Sequence, residues 1–320
     1  MEYMTKEKRY NTLNAFYRHK FGEKVFKIPL NGNFSCPNKV SNTTKGGCIY
    51  CTESGSGDFA GNKNDSLKDQ YNDILKMMNN KWTGKTIVYF QANTNTYKDV
   101  RELEKMFNEA ISLSKDIVGL SIATRCDALD SNKYDLLEEL NKKTYLQVEL
   151  GLQSINENTI KFMNRGHDKS CFEKAVKELR KRDIDVVVHI INGFPTDSYN
   201  DSLNIIKYLN KLDIQGIKIH MLHVMKQTKL GNLYLEKPFK LLTLFEYRDL
   251  VIDQLELLNS NIIVHRITGD SPKEMLIEPT WTLKKFIVMN EIDKKMRELD
   301  TYQGKKTTLL WVLSFNYKDT

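Results

Sequence analysis

Three of the five cysteines, Cys36, Cys48 and Cys51, share one loop with the spacing C-x11-C-x2-C. Thiolates are the usual protein ligands of iron–sulfur clusters, and they also bind zinc. A C-x-x-C pair sets two sulfurs on one metal centre across a tight loop. Gly46-Gly47, just ahead of Cys48, let backbone N–H groups approach those sulfurs. No further cysteine or histidine stands near in sequence. A cluster held by three cysteines keeps one open iron, the mark of a reactive rather than a structural site. On the residues alone two other readings stay open: zinc completed by a distant residue, and three unrelated cysteines.

Elements able to position such a site recur along the chain. Short β-branched or aromatic runs alternate with longer amphipathic ones. Strands are expected at 24–30, 86–91, 118–123, 145–150, 185–191 and 216–222. Helices are expected at 66–82, 100–113, 133–142, 172–181 and 201–212. In the first helix Leu67, Tyr71, Ile74, Leu75 and Met78 recur every three or four positions, and Ser66 is a suitable cap. Near-continuous apolar strands in six strand–helix units predict an α/β chain whose parallel sheet is buried on both faces. It is either doubly wound or an incomplete barrel. In both, the loops after the C-terminal ends of the strands carry the chemistry. Asn93, Thr94, Arg125, Asp127, Gln153, Asn192 and His223 gather there.

Beyond about residue 231 the pattern loosens into a helix at 241–258, a short strand at 261–265 and a helix at 283–299. This reads as an extension (231–320) packed on a core (1–230) whose cysteine loop spans 31–62.

Composition bounds the rest. The chain has 320 residues, 40% hydrophobic and 28% charged, with 6 prolines and 16 glycines, which suits a globular protein rather than a disordered or collagenous one. Five cysteines, odd and sparse, argue against a secreted disulfide framework. No apolar run approaches the roughly 18 residues of a membrane helix, and the polar N-terminus lacks the apolar stretch of a signal peptide. The expected compartment is the cytoplasm, with no membrane partner. A net charge of +7 tolerates a nucleic-acid partner without requiring one.

At this point the chain resembles the radical S-adenosylmethionine superfamily, in which a three-cysteine loop follows the first strand. The usual spacing there is C-x3-C-x2-C, and the longer first gap is similar to that of the YhcC/YtqA-like (MnmL-like) family, related to the radical subunit of Elongator. The segments that carry the resemblance are CPNKVSNTTKGGCIYC (36–51), YFQANTNTY (89–97), GLSIATRCD (119–127), VELGLQSINENTIKFMNRGHD (148–168), HIINGFPTDS (189–198), HMLHVMKQTKL (220–230) and HRITGDSPKEML (265–276).

The resemblance implies a partial (βα)6 barrel and a [4Fe-4S] cluster on Cys36, Cys48 and Cys51. S-adenosylmethionine would chelate the open iron, and its reductive cleavage would give a 5′-deoxyadenosyl radical. It also implies an electron donor such as flavodoxin or ferredoxin. A tRNA substrate, at the side chain on carbon 5 of the wobble uridine, follows from the Elongator kinship. The chain is too short for that subunit's acetyltransferase domain, so an identical reaction is not expected. A small-molecule radical reaction is the second reading, and a zinc-stabilised nucleic-acid binding protein the third.

Carried over residue by residue, the resemblance places Tyr50 near adenine. Gln153 and Arg165 match a pair that contacts the cofactor in coproporphyrinogen-oxidase-like relatives. Asn93 and Thr94 stand where other members have a Gly-rich cofactor motif, and His189 at a polar cofactor contact. His223 and Lys226 are expected to meet substrate. His220 and His223, three apart on a strand, should point to opposite faces and share no metal. Arg266 and Asp270 read as a local ion pair. Cys126, where relatives tend to have proline, reads as an incidental small residue, and Cys171 as a core residue opening a helix.

Overall fold

The structure is a computed structural model that describes residues 2–40, 46–79 and 82–307. Positions 41–45 of the cysteine loop, 80–81 of the first predicted helix and 308–320 of the extension lie outside the described residues.

The described residues form nine strands: β1 (Val25–Leu30), β2 (Lys85–Phe90), β3 (Ile117–Thr124), β4 (Tyr145–Gln153), β5 (Asp185–Asn192), β6 (Gly216–Met221), β7 (Val224–Met225), β8 (Ile263–Arg266) and β9 (Leu276–Glu278). Seven of them form one curled parallel sheet in the order β1-β2-β3-β4-β5-β6-β8, a partial barrel as expected. The count corrects the expected six. The strand foreseen at 261–265 does not stand apart in the extension but lies beside β6, Ile263 opposite Gly216. Its partner could not be read from local sequence, because parallel pairing across a long crossover leaves no local signature. β7 and β9 pair antiparallel in a separate two-stranded ribbon.

Alternation builds the two faces of the sheet. Ile28, Leu30, Val88, Phe90, Leu120, Ile122, Val148, Leu150, Val188 and Ile190 are fully buried in the main apolar core, where the helices cover the outside. The intervening residues face the concave side, and several of them are polar. The connecting helices start at caps the sequence advertises: Ser66, Asp99, Asp130, Asp168 and Ser198 each accept a hydrogen bond from a first-turn backbone N–H. Helices Glu157–Met163 and Lys229–Glu236, not expected from periodicity, are short and sit in loops that border the site.

The unforeseen helix Leu13–Phe21 closes the N-terminal end of the barrel. Tyr17 is buried with Val25 and Ile87, and its hydroxyl donates to Gln147 Oε1 at 2.8 Å. Thr12 bridges in parallel to Val264, so this segment also covers the free edge of β8.

The loops after β4 and β5 are joined by Asp197, whose Oδ1 accepts from the hydroxyls of Ser154 and Thr159. Burial raises this carboxyl to about 6, against the pull of those two hydrogen bonds. A raised carboxyl stabilises the fold when protonated, and that contribution fades as pH climbs through about 6. Asp197→Asn keeps the acceptor and removes the titration. Urea unfolding of the two proteins should therefore diverge in the variant's favour between pH 4.5 and pH 7.5, by about 2 kcal/mol. Parallel pH profiles would refute this.

Candidate functional site

Directly after β1 the chain runs through Cys36 into a single helical turn, Pro37–Val40, whose N–H groups at Lys39 and Val40 point back to the Cys36 carbonyl. Gly46 and Gly47 both have positive φ, 93° and 73°, a region only glycine occupies freely, and they turn the chain back into Cys48. Cys51 N–H then donates to the Cys48 carbonyl at 3.1 Å, closing the C-x-x-C turn. This loop is pinned from outside. Ile49 exchanges backbone hydrogen bonds with Met163 and Leu230. Asn38 Nδ2 donates to the Asn164 carbonyl (2.7 Å) and to Cys48 Sγ (3.3 Å), while Asn164 Nδ2 donates to the Gly47 carbonyl (2.8 Å).

All five cysteines are free thiols, and Cys36, Cys48 and Cys51 line one cavity at the C-terminal mouth of the barrel. Among the described residues no three His, Cys, Asp or Glu side chains are gathered for a single metal ion. Burial pushes up the Cys48 thiol, opposed by Arg125 and the Asn38 hydrogen bond. Burial pushes the Cys51 thiol up to about 12, opposed by Lys39. Both thiols are thus protonated near neutrality, and loading a metal there displaces protons. The cations supply compensation at short range. Lys39 is held by the carbonyls of Thr52 and Glu53, and Arg125 is forked onto Asp127 with N···O distances of 2.9 and 2.6 Å.

The expected cofactor contacts converge on this cavity. Tyr50 lies on its wall, edge-on to Phe194 at 5.7 Å between centroids. Thr94 is buried there, its N–H donating to Ser35. Asn93 is also on the wall, but its side chain is occupied: Oδ1 accepts from Lys39 at 3.1 Å and Nδ2 donates to the Ser54 carbonyl at 3.4 Å. Asn93 and Gln153 both take positive φ, 62° and 57°, the backbone strain that collects at functional sites. Gln153 follows a register shift at the end of β4, which turns its side chain over Gly151.

Arg165 is one of the largest fully buried side chains. Its Nε donates to the His167 carbonyl and one terminal nitrogen to the carbonyls of Leu152 and Ser154. The other terminal nitrogen is buried and unpartnered among the described residues. An orphaned guanidinium nitrogen on a cavity wall suits a carboxylate ligand.

The substrate expectations divide. His223 lines the cavity. Lys226 does not: it is exposed, and its Nζ donates to the Glu274 carbonyl at 2.8 Å, anchoring the β7–β9 ribbon. The expected opposition of His220 and His223 is also corrected, since both line the same cavity. β6 ends at Met221, so the chain has left the pleat before residue 223. Arg266 and Asp270 do form an ion pair, joined by Lys285 at 2.8 Å, and both border the cavity. Cys126 is buried off the cavity with its Sγ 3.1 Å from His167 Nδ1, and Cys171 sits in the first turn of helix Lys169–Arg180, packed on the core.

Beneath the cavity is a charged centre that the sequence reading missed. Glu149 of β4 is buried, and its carboxylate accepts from Lys27 of β1 (2.5 Å), Ser121 of β3 (2.9 Å), Tyr89 of β2 (2.8 Å), His189 of β5 (2.7 Å) and Lys218 of β6 (2.5 Å). His189 is therefore tied to Glu149 while its ring still reaches the cavity wall. Burial pushes the Glu149 carboxyl up, but Lys218, Lys27 and His189 outweigh it and hold it well below the usual range. A signal was present. Lys27, Ser121, Glu149, His189 and Lys218 interrupt otherwise apolar strands at alternate positions, the mark of a polar barrel interior.

Comparison with known proteins agrees with this geometry. The family model described as the Radical SAM superfamily matches residues 38–214, and the one described as the Radical_SAM C-terminal domain matches residues 214–298. The uncharacterised protein YtqA of Bacillus subtilis is 46% identical over 304 residues, 95% of this chain and 94% of its own. The tRNA-2-methylthio-N(6)-dimethylallyladenosine synthase of Rickettsia typhi is 26% identical over 153 residues, 44% of this chain and 34% of its own. Among solved structures, that of the archaeal Methanocaldococcus infernus Elp3 with an N-terminal deletion superposes with a TM-score of 0.66 at 17% identity. It covers 87% of this chain, which spans 64% of that one.

Proposed function

We propose, for a chain that belongs to the radical SAM superfamily and is a radical SAM enzyme, that it modifies tRNA at the side chain of the wobble uridine. The observation that carries the radical half of this reading is one cavity lined by three free thiols and by Arg165, whose guanidinium has an unpartnered nitrogen. Cys36, Cys48 and Cys51 would hold a [4Fe-4S] cluster, and Arg165 would take the carboxylate of S-adenosylmethionine. When bound, these two groups supply radical generation by one-electron cleavage of the sulfonium. The chain's own residues do the rest. Tyr50, braced by Phe194, offers an aromatic face for adenine. Lys39 and Arg125 offset thiolate charge. The barrel with its capped end keeps water from a reactive centre.

The tRNA part rests on the Rickettsia relative, whose name specifies a tRNA nucleoside, an adenosine, and on a net charge of +7; the wobble uridine is the expectation from the Elongator resemblance. A cytoplasmic location and an electron donor of the flavodoxin or ferredoxin type belong to the same proposal. No helix of the described residues is long and apolar enough to cross a membrane.

Anaerobic reconstitution tests the cofactor half. The expected product is a brown protein with about four irons per chain that releases 5′-deoxyadenosine when given reductant and S-adenosylmethionine. A colourless zinc protein, or no 5′-deoxyadenosine, overturns it. The nucleoside profile of tRNA from a deletion strain tests the substrate half. An unchanged profile would turn the reading to a small-molecule radical reaction.

A further inference from the structure

The unpartnered buried polar atoms of the cavity fall on two sides. One, the Arg165 nitrogen, belongs to the side of the cysteines. Three others, Nε2 of His220, Nε2 of His223 and Oγ of Ser271, belong to the part of the lining built by the end of β6 and the segment that follows β8. None of the three has a partner among the described residues, and a buried polar atom left unpaired is costly. Three such orphans on one wall are the imprint of a ligand with complementary hydrogen-bonding atoms.

The wall is built to bring them together. The Gly269 N–H donates to Met221 Sδ at 2.8 Å, which lays segment 269–271 against the end of β6. A Cβ at Gly269 would stand 2.8 Å from His223 Cε1, so only glycine permits this approach. The wall's two histidines are also uncharged. Burial lowers both histidines, His223 to about 4, so the rings are neutral near pH 7. Arg266 and Lys285 share the carboxylate of Asp270, and Lys27 and Lys218 share that of Glu149. Met221, Leu222 and Met225 line the same region and offer an apolar surface. A flat polar ring would seek this combination of apolar surface and neutral donors and acceptors.

Resting on the tRNA reading, we infer that His220, His223 and Ser271 form the subsite that reads the imide edge of a flipped-out uracil base. That edge presents acceptor, donor and acceptor in a row. Two neutral imidazoles and one hydroxyl, each able to donate or accept, can match it in one set of tautomers. The cofactor side then faces the other edge of the base.

The test uses reconstituted protein with S-adenosylmethionine and four probes: uridine, 3-methyluridine, cytidine and ribose 5-phosphate. Binding is followed by dialysis and by 15N NMR of the histidine rings. Uridine should move the Nε2 signals of His220 and His223 and leave that of exposed His19 in place. 3-Methyluridine, its imide N–H blocked, should bind at least about tenfold more weakly, and cytidine likewise. Ser271→Ala and His220→Ala should each weaken uridine binding about fivefold to tenfold, the scale of one hydrogen bond; iron content reports whether the variants fold. Equal binding of uridine and 3-methyluridine, or the same NMR shifts from ribose 5-phosphate, overturns the subsite. The tRNA reading fails separately. Uridine selectivity with an unchanged tRNA profile keeps the subsite and makes the substrate a free nucleoside. A changed profile without uridine selectivity removes the subsite alone.

Discussion

Alanine at Cys36, Cys48 or Cys51 is expected to leave a folded chain that retains no stable cluster and makes no 5′-deoxyadenosine. Each residue would be one of three anchors, and no neighbouring cysteine can stand in, since Cys126 and Cys171 are not on the cavity wall. Loss of an outer-shell partner alone typically lowers metal affinity or activity by about 10–100-fold, so loss of a direct ligand should exceed that. The fold should survive, because the loop is held by the Asn38–Asn164 exchange and the backbone bonds of Ile49, and none of the three thiols is part of an apolar core cluster. Iron analysis and product assay of each variant check this, with Cys171→Ala as the comparison expected to keep both. A single-cysteine variant with full iron and full product would remove the cysteines from the site.

The second large effect is expected at Glu149. Its carboxylate takes five donors from five strands, including the buried ammonium of Lys218 and the half-buried one of Lys27. Removing one partner of a buried ionic network leaves uncompensated charge and typically costs about 3–5 kcal/mol. Glu149→Ala should lower the urea midpoint accordingly. The triple variant Lys27→Met, Glu149→Leu, Lys218→Met removes the charges together and should recover most of that loss, because well-packed apolar replacements of such networks are often neutral or stabilising. If the triple variant is no more stable than the single one, the carboxylate is not what balances these lysines. The triple variant should still load iron, since the cysteine loop is held independently, yet lose turnover, because it also strips the floor of the cavity.

The fold and the cysteine loop were largely legible from local signals. Apolar runs of five to nine residues, caps such as Asp99 and Asp130, and turn residues such as Asn93-Thr94 mark strands, helix starts and loop ends through short-range periodicity and capping chemistry. The C-x11-C-x2-C spacing places three thiols on one loop for the same reason: it is contained in neighbouring residues. Where the reading failed, the missing information was long-range. Lys226 looked like a mouth residue but belongs to a ribbon whose second strand begins 50 positions on, at Leu276. Asn93 reached the cavity but spent its side chain on Lys39 and Ser54, a partnership between segments far apart in sequence.

The sequence alone determined that this chain forms strand–helix units and offers three thiols from one loop, because side-chain period and cysteine spacing are properties of neighbouring residues. Tertiary structure decided what the barrel holds. Curling the sheet turned alternate residues of separate strands onto one axis, which gathered Lys27, Tyr89, Ser121, Glu149, His189 and Lys218 into one network. The end of β6 at Met221 decided that His220 and His223 face the same cavity, and β8 brought Ser271 to them. Strand curvature and crossover pairing set these encounters, and both depend on the packing of the whole sheet rather than on any local run of residues.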